Sequence, residues 1–303
     1  VTAKLDALGR QTERLAELYN KARLDVAGAE AAVSRADKAA ADAQTRLDQA
    51  HAKFIAMITS QYENGTQNAA SALLTSGSGQ NYLDTLTVMD IAARQQSDVV
   101  RSMRAAKSEA ATARQRAAAA LHTAEAERRA VVEQRAKAAA ETTKFKALLA
   151  TLTAAQRRTF ATRHAAPPVQ AAAAVSSAVS TVHAGSTAAQ RAVSFALAQV
   201  GKPYVFGAAG PGSYDCSGLT MAAWQAAGVS LPHLAADQYN YGTHVSVSQL
   251  QPGDLVFMYN PIGHVAMYIG HGMLVSAPEP GENVQVVPLS YFLSDVVGAT
   301  RLA

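Results

Sequence analysis

The 303-residue chain has one cysteine, a formal charge of +4 and 17% charged residues. A lone cysteine excludes an internal disulfide and a thiolate metal cluster, which leaves an inert core thiol or a nucleophile. No run is long and apolar enough to span a bilayer and no signal peptide is visible. The cations lie around helices without interleaved aromatics or a recognisable binding motif, which argues against nucleic acid.

The first predicted element is a long helix. Its apolar or small positions run Leu5, Leu8, Leu15, Tyr19, Ala22, Val26, Ala29, Val33, Ala36, Ala40, Ala43, Leu47, Ala50, Phe54 and Met57, interrupted only by Thr12. Steps of three and four over about eight heptads make a seam for a partner helix. A second helical run is predicted from near Tyr82 to about Arg163. Its seam passes Val99, Met103, Ala106, Ala110, Ala113, Ala117, Ala120 and Ala124 and resumes at Phe145, Leu148 and Leu152. Glu127, Gln134 and Glu141 occupy intervening seam positions. Two such helices fold most simply as an antiparallel hairpin, and most of their charges read as solvated faces.

Between them, Glu63-Asn64-Gly65 and Ser76-Gly77-Ser78-Gly79 supply turns around an apolar segment, Ala69–Leu74, and a second one follows at Tyr82–Ile91. This tip is more apolar than the stalk, so it suits either a self-packed cap or a partner-docking site. Residues 165–186 show neither heptad nor strand pattern and read as a linker. The remainder reads as a compact unit. It has a helix over Thr187–Val200, a Gly-rich loop over Gly201–Gly212, a helix over Cys216–Ala227, and strands near Asp254–Tyr259, His264–Ile269, Met273–Ala277 and Val284–Val287. Three cations face six anions in residues 187–303, so that part carries −3 and residues 1–186 carry +7. A basic arm on an acidic globule suits an anionic wall or membrane surface, or self-docking.

The chemistry centres on Asp215-Cys216-Ser217-Gly218 at the start of a helix. Unpaired backbone N–H groups there favour an anion, so the thiol is expected to titrate low and an oxyanion to find donors at the Cys216 or Ser217 backbone. His264, opening an apolar strand, is the candidate base that takes the thiol proton and returns it to the leaving amine. His51, His122 and His164 fall on the stalk, His183 on the linker and His271 in a turn, while His233 and His244 are loop-like and suited to line a cleft. A cysteine on a helix start with a histidine on a strand suggests a papain-like thiol hydrolase. No metal or other cofactor is expected, since the Asp and His residues lack ligand spacing and thiol chemistry needs none.

Five blocks occur in order: Gly201-Lys202-Pro203-Tyr204-Val205-Phe206-Gly207, Tyr214-Asp215-Cys216-Ser217-Gly218-Leu219, Leu231-Pro232-His233 with Gln238-Tyr239, Gln251-Pro252-Gly253-Asp254-Leu255-Val256-Phe257, and Gly263-His264-Val265-Ala266-Met267-Tyr268-Ile269-Gly270. Together they resemble the NlpC/p60 family of cell-wall cysteine peptidases over about the last 110 residues. The resemblance implies a papain-like α+β fold and hydrolysis of peptidoglycan stem peptides, usually between the γ-carboxyl of D-glutamate and meso-diaminopimelate. It implies Cys216 as nucleophile and His264 as base, with Tyr204, Asp215, Ser217, His233 and Gln238 as substrate or oxyanion residues. A secreted, periplasmic or wall-associated location is the matching expectation, and the chain opens in helical sequence as a processed product would.

One position departs from the family pattern. The third polar residue, commonly His, is here Ser276. If Gly270-His271-Gly272 makes a three-residue hairpin loop, Ala266 opposes Ser276, and His264 shares a face with Ser276. A serine oxygen can accept the imidazole N–H but adds no full charge, so a weaker or more tightly regulated enzyme is expected.

The stalk carries a second resemblance. Ser71–Ser76, Tyr82–Leu86 and Met89–Ala93 are similar to the helical lobe of coiled-coil wall hydrolases that work with the FtsEX membrane complex during cell division. This implies docking on the FtsX extracellular domain through Leu73, Leu74, Tyr82, Leu83, Leu86 and Met89, with stalk or linker covering the Cys216 cleft until the partner binds.

The expected organisation is therefore a coiled-coil regulatory domain over 1–164 with its tip lobe at about 63–97, a linker over 165–186, and an α+β papain-like domain over 187–303. Two other readings stand beside it. One is a wall-binding scaffold with a degenerate hydrolase domain, and the other is an amidase or acyltransferase on the same fold.

Overall fold

The computed structural model describes residues 2–64, 78–154 and 187–302. By contacts the chain divides into two compact groups, Val1–Asp25 with Glu127–Ala303, and Val26–Ala126.

Helix α1 spans Thr2–Asn64 and helix α2 spans Gly79–Ala150. Every position of the α1 seam is buried or half-buried, and the α2 seam continues without a break through Glu127, Gln134 and Glu141, all half-buried. In the group Val26–Ala126 the helices run antiparallel, since Gln44 meets Arg114 at 2.5 Å and Arg46 meets Glu109 at 2.5 Å. Small seam residues, Ala43, Ala50, Ala106, Ala110 and Ala124, are buried there and let the backbones approach. In the other group Leu5 packs with Phe145 and Leu152.

Part of the expected tip lobe, including Leu73 and Leu74, lies outside the described residues. Tyr82, Leu83, Leu86 and Met89 lie in the opening turns of α2, where Leu83 is exposed and the others are half-buried.

The C-terminal part is a six-stranded antiparallel sheet with helices on one face. The strands are β1 (Thr243–Val245), β2 (Leu255–Met258), β3 (His264–Gly270), β4 (Met273–Ser276), β5 (Gln285–Pro288) and β6 (Val296–Arg301), in the spatial order β1-β6-β2-β3-β4-β5. Both sheet faces are covered, and the period of two sorts the side chains. Leu255, Phe257, Val265, Met267, Ile269 and Val275 join the core under helices α3 (Thr187–Leu197) and α4 (Cys216–Ala226), around Trp224. Val256, Met258, Ala266 and Leu274 join a smaller core with Val287, Leu289 and Ala299 on the opposite face. A short helix, α5 (Ala235–Tyr239), follows α4.

The β3–β4 turn differs from the three-residue loop expected from sequence. Gly270 pairs with Met273 across a two-residue turn, His271-Gly272, and the register shifts between Tyr268 and Gly270. His271 (φ 53°) and Gly272 (φ 71°) both take the left-handed conformation a tight hairpin turn needs. The extra residue in the strand replaces the extra residue in the loop. Met267 therefore still faces Val275, and His264 and Ser276 fall in phase.

Candidate active site

Asp215 caps α4. Its Oδ1 accepts the Gly218 backbone N–H at 2.7 Å, and the same oxygen lies 2.8 Å from His233 Nε2. Its Oδ2 accepts the Gly207 backbone N–H at 3.0 Å, which ties the glycine-rich loop to the helix start. Cys216 follows in the first turn, and Gly218 lies so close to Ala208 O that no side chain fits there. Thr220 and Gln238 brace this turn. Thr220 Oγ1 donates to Gln238 Oε1 at 2.7 Å, while Gln238 Nε2 donates to Ser217 O at 2.9 Å and to Pro232 O at 2.8 Å. The Gln238 amide is fully committed inside the protein, so it positions the helix start.

His264 opens β3 beside this turn. Its Nε2 is 2.8 Å from Ser276 Oγ, in the register the hairpin sets. Phe292 stacks near its ring at 6.4 Å between centroids, with Tyr259 at the same distance on a tilt. The Tyr204 hydroxyl is buried with no hydrogen-bond partner.

Helix α1 covers this cleft. Beside its seam it buries a second stripe, Glu13, Ala16, Glu17 and Asn20, against the sheet domain. Glu13 Oε1 lies 3.3 Å from His264 Nδ1. Glu17 Oε1 accepts Ser217 Oγ–H at 2.7 Å and lies 3.8 Å from the Cys216 sulfur, while its Oε2 accepts the Ala235 backbone N–H. Asn20 Nδ2 donates to Asp215 Oδ2 at 3.0 Å, Tyr19 packs on Phe206 at 4.8 Å, and Arg23 donates to Gly207 O at 3.2 Å. Gly9 lies against the Glu279 carboxylate, which would have to shift to admit a Cβ. Cys216 and His264 are each left only 1% exposed.

This cover reverses the expected electrostatics. The sequence predicts a thiol shifted down at a helix N-terminus. Burial pushes the Cys216 thiol well above its ordinary value, and the Glu17, Asp215 and Glu13 carboxylates add to the shift. The Glu17 carboxyl rises to about 7, through burial first and Asp215 second, with Ser217, Ala235 and His233 opposing. Two further carboxyls in the same group rise. Glu279 goes well up through burial and then Glu13, and Glu282 goes to about 7 through burial, with Gln285 opposing and Glu13 adding. With α1 in place, the sulfur is held as a thiol and the imidazole nitrogen facing away from Ser276 has a carboxylate before it.

Sequence reasoning brings Cys216, His264, Ser276, Asp215, Ser217 and His233 to one place, and the structure puts them there. It misses Gly9, Glu13, Glu17 and Asn20, read as solvated stalk. The signal is present in the spacing: a glycine inside a helix, then polar residues four, four and three positions on, beside an apolar seam. Among the described residues no cluster of three His, Cys, Asp or Glu side chains could hold a metal ion.

Residues 201–301 match the model of the NlpC/P60 family. A probable endopeptidase of Mycobacterium tuberculosis is 31% identical over 329 residues, covering 95% of this chain and 86% of the relative. A probable endopeptidase of Corynebacterium glutamicum is 42% identical over 113 residues, 37% of this chain and 54% of the relative. The peptidoglycan endopeptidase RipA of Mycobacterium tuberculosis is 36% identical over 120 residues, 35% of this chain and 25% of the relative.

Proposed function

The chain belongs to the NlpC/P60 family, and we propose that it is a cysteine peptidase that hydrolyses peptidoglycan stem peptides and is held closed by its own first helix. The observation that carries the reading is that Cys216, in the first turn of the capped α4, meets the Val265 backbone next to His264, whose Nε2 is 2.8 Å from Ser276 Oγ.

In this mechanism α1 first leaves the cleft. Without its carboxylates and its burial, the Cys216 thiol titrates lower and the field of the α4 N-terminus favours the anion. His264 takes the thiol proton through Nδ1, because Nε2 is held by Ser276. The thiolate attacks the scissile carbonyl, and the Cys216 backbone N–H and the Tyr204 hydroxyl receive the oxyanion in this reading. His264 then protonates the leaving amine, and water resolves the thioester by the same route in reverse. Ser276 orients the ring without adding charge.

The finer reading is cleavage between D-glutamate γ-carboxyl and meso-diaminopimelate by a secreted protein, in cell division. Opening of the cleft is assigned to a membrane partner of the FtsX type acting on the helical arm. The motif resemblance supports these points, and the seating of Glu13, Glu17 and Asn20 supports control through the arm. Mass spectrometry of products from defined muropeptides tests the reading. A single new γ-D-glutamyl terminus, absent with Cys216→Ala, is expected. Cleavage at an amide of the sugar–peptide junction would replace the endopeptidase with an amidase.

A further inference from the structure

The start of α1 and the end of α2 meet the sheet domain on one loop. Residues 277–284 join β4 to β5, directly after Ser276. Gly9 of α1 lies against the Glu279 carboxylate of this loop. Leu149 of α2 lies over Gly281, its Cδ2 3.5 Å from where a Cβ of that glycine would stand. Gly281 has φ 99°, a left-handed conformation that glycine adopts without strain. Helix α2 therefore touches the sheet domain itself, at a point outside the cleft that α1 fills.

The same leucine belongs to the apolar cluster that joins the two helices. Leu5 and Phe145 are fully buried, Leu152 is buried, and Leu8, Leu148 and Leu149 pack around them. Different forces thus hold α1 on its two sides. Toward the cleft it is held mostly by polar contacts of Glu13, Glu17 and Asn20, which water replaces on opening. Toward α2 it is held by whole leucine and phenylalanine side chains, which water does not compensate and which cost more to expose. The polar side therefore gives first and the apolar side stays closed. When α1 leaves the cleft, the end of α2 leaves Gly281 with it.

Resting on the closure by α1 in the reading above, we propose that the closing body is the pair of helix ends, and that the seat of Leu149 on Gly281 is a second autoinhibitory contact. Loop 277–284 is the common saddle, with α1 on Glu279 and α2 on Gly281. Cys216 becomes reachable only when both leave the loop, so a substitution that touches neither α1 nor the catalytic side chains opens the site.

Alkylation of Cys216 by iodoacetamide in the full chain tests this and needs no substrate. Leu149→Asp sets a charge over Gly281. Gly281→Asn adds a side chain beneath Leu149 and keeps the left-handed turn, which asparagine adopts more readily than most residues. The two variants act from opposite sides of one contact. Each is expected to raise the alkylation rate about fivefold or more, as loss of a part-buried leucine contact implies, with circular dichroism unchanged. Hydrogen exchange in Glu13→Ala with Glu17→Ala separates the pair from α1 alone. Amides of residues 5–12 are expected to keep wild-type protection while Cys216 alkylation rises, because the start of α1 stays on α2. Exchange over 5–12 that speeds up in step with alkylation would mean that α1 peels away by itself, and overturns the pair. Wild-type alkylation in both single variants, with the double variant faster, removes α2 from closure and leaves α1 in its role. Wild-type alkylation in all three overturns closure by α1 and this inference with it.

Discussion

Ser276 is the residue where the chain departs from the family pattern, and its geometry defines what it contributes. One hydrogen bond of 2.8 Å fixes the ring of His264 without a compensating charge. A single buried hydrogen bond is worth about 1 kcal/mol net, so Ser276→Ala is expected to lower kcat about fivefold with KM unchanged. Steady-state kinetics on a defined stem peptide checks this, and an unaltered kcat removes Ser276 from the machinery. Glu17 gives a second prediction at the same scale. Its carboxyl titrates at about 7 when covered, facing Asp215, His233, Ser217 and the Ala235 N–H, and near 4.3 when α1 is away. A pKa raised in the closed form means that closure takes up a proton. Closure is unpenalised below about pH 4.3 and is progressively weakened as pH rises through 7. Glutamine at this site stays neutral, so the ratio of Cys216 alkylation rates, wild type over Glu17→Gln, is expected to climb from pH 5 to pH 7.5. A flat ratio would show that the Glu17 charge does not govern opening.

At the scale of elements, α1 has two buried stripes that work against each other in sequence analysis. The apolar seam was legible because Leu5 through Met57 repeat every three or four residues, and each seam position is covered in the structure. The polar stripe beside it shows only in its spacing after Gly9, because Glu13, Glu17 and Asn20 have the composition of any solvated helix face. Their burial depends on partners some 200 residues away, namely Asp215, Ser217, Ala235 and His264. The strands split in the same manner. β2 and β3 read clearly because both faces are apolar, whereas β1 is mostly exposed and β6 carries Gly298 and an exposed Val297. Helix α5, five residues long, has too few turns to show a period. The site was legible in its residues because short motifs fix them, but the state of the thiol was not. Burial and the neighbouring carboxylates, two of them on α1, push the thiol up, and no local pattern announces that. Gly9 of α1 rests against Glu279. A methyl group there meets the Glu279 carboxylate, so Gly9→Ala is expected to raise Cys216 alkylation severalfold while circular dichroism stays unchanged, alanine being the better helix former. Alkylation at the wild-type rate would mean that α1 does not rest on Glu279 in solution.

For the molecule as a whole, composition and contact divide the chain differently. Composition changes after residue 164, whereas contacts group Val1–Asp25 and Glu127–Ala154 with the sheet domain. The first turns of α1 therefore belong to the helical arm by sequence and to the sheet domain by contact. In the proposed mechanism sulfur and imidazole do the chemistry, and α1 withholds them from substrate. Release of the leaving residue from a defined γ-D-glutamyl-diaminopimelyl peptide tests both at once, on wild type, on Glu13→Ala with Glu17→Ala, and on the same pair with Cys216→Ala. Loss of two buried polar contacts at about 1 kcal/mol each corresponds to more than tenfold in opening, so the double variant should cleave at least ten times faster than wild type and the triple variant not at all. Cleavage by the triple variant, or a double variant no faster than wild type, would contradict the account.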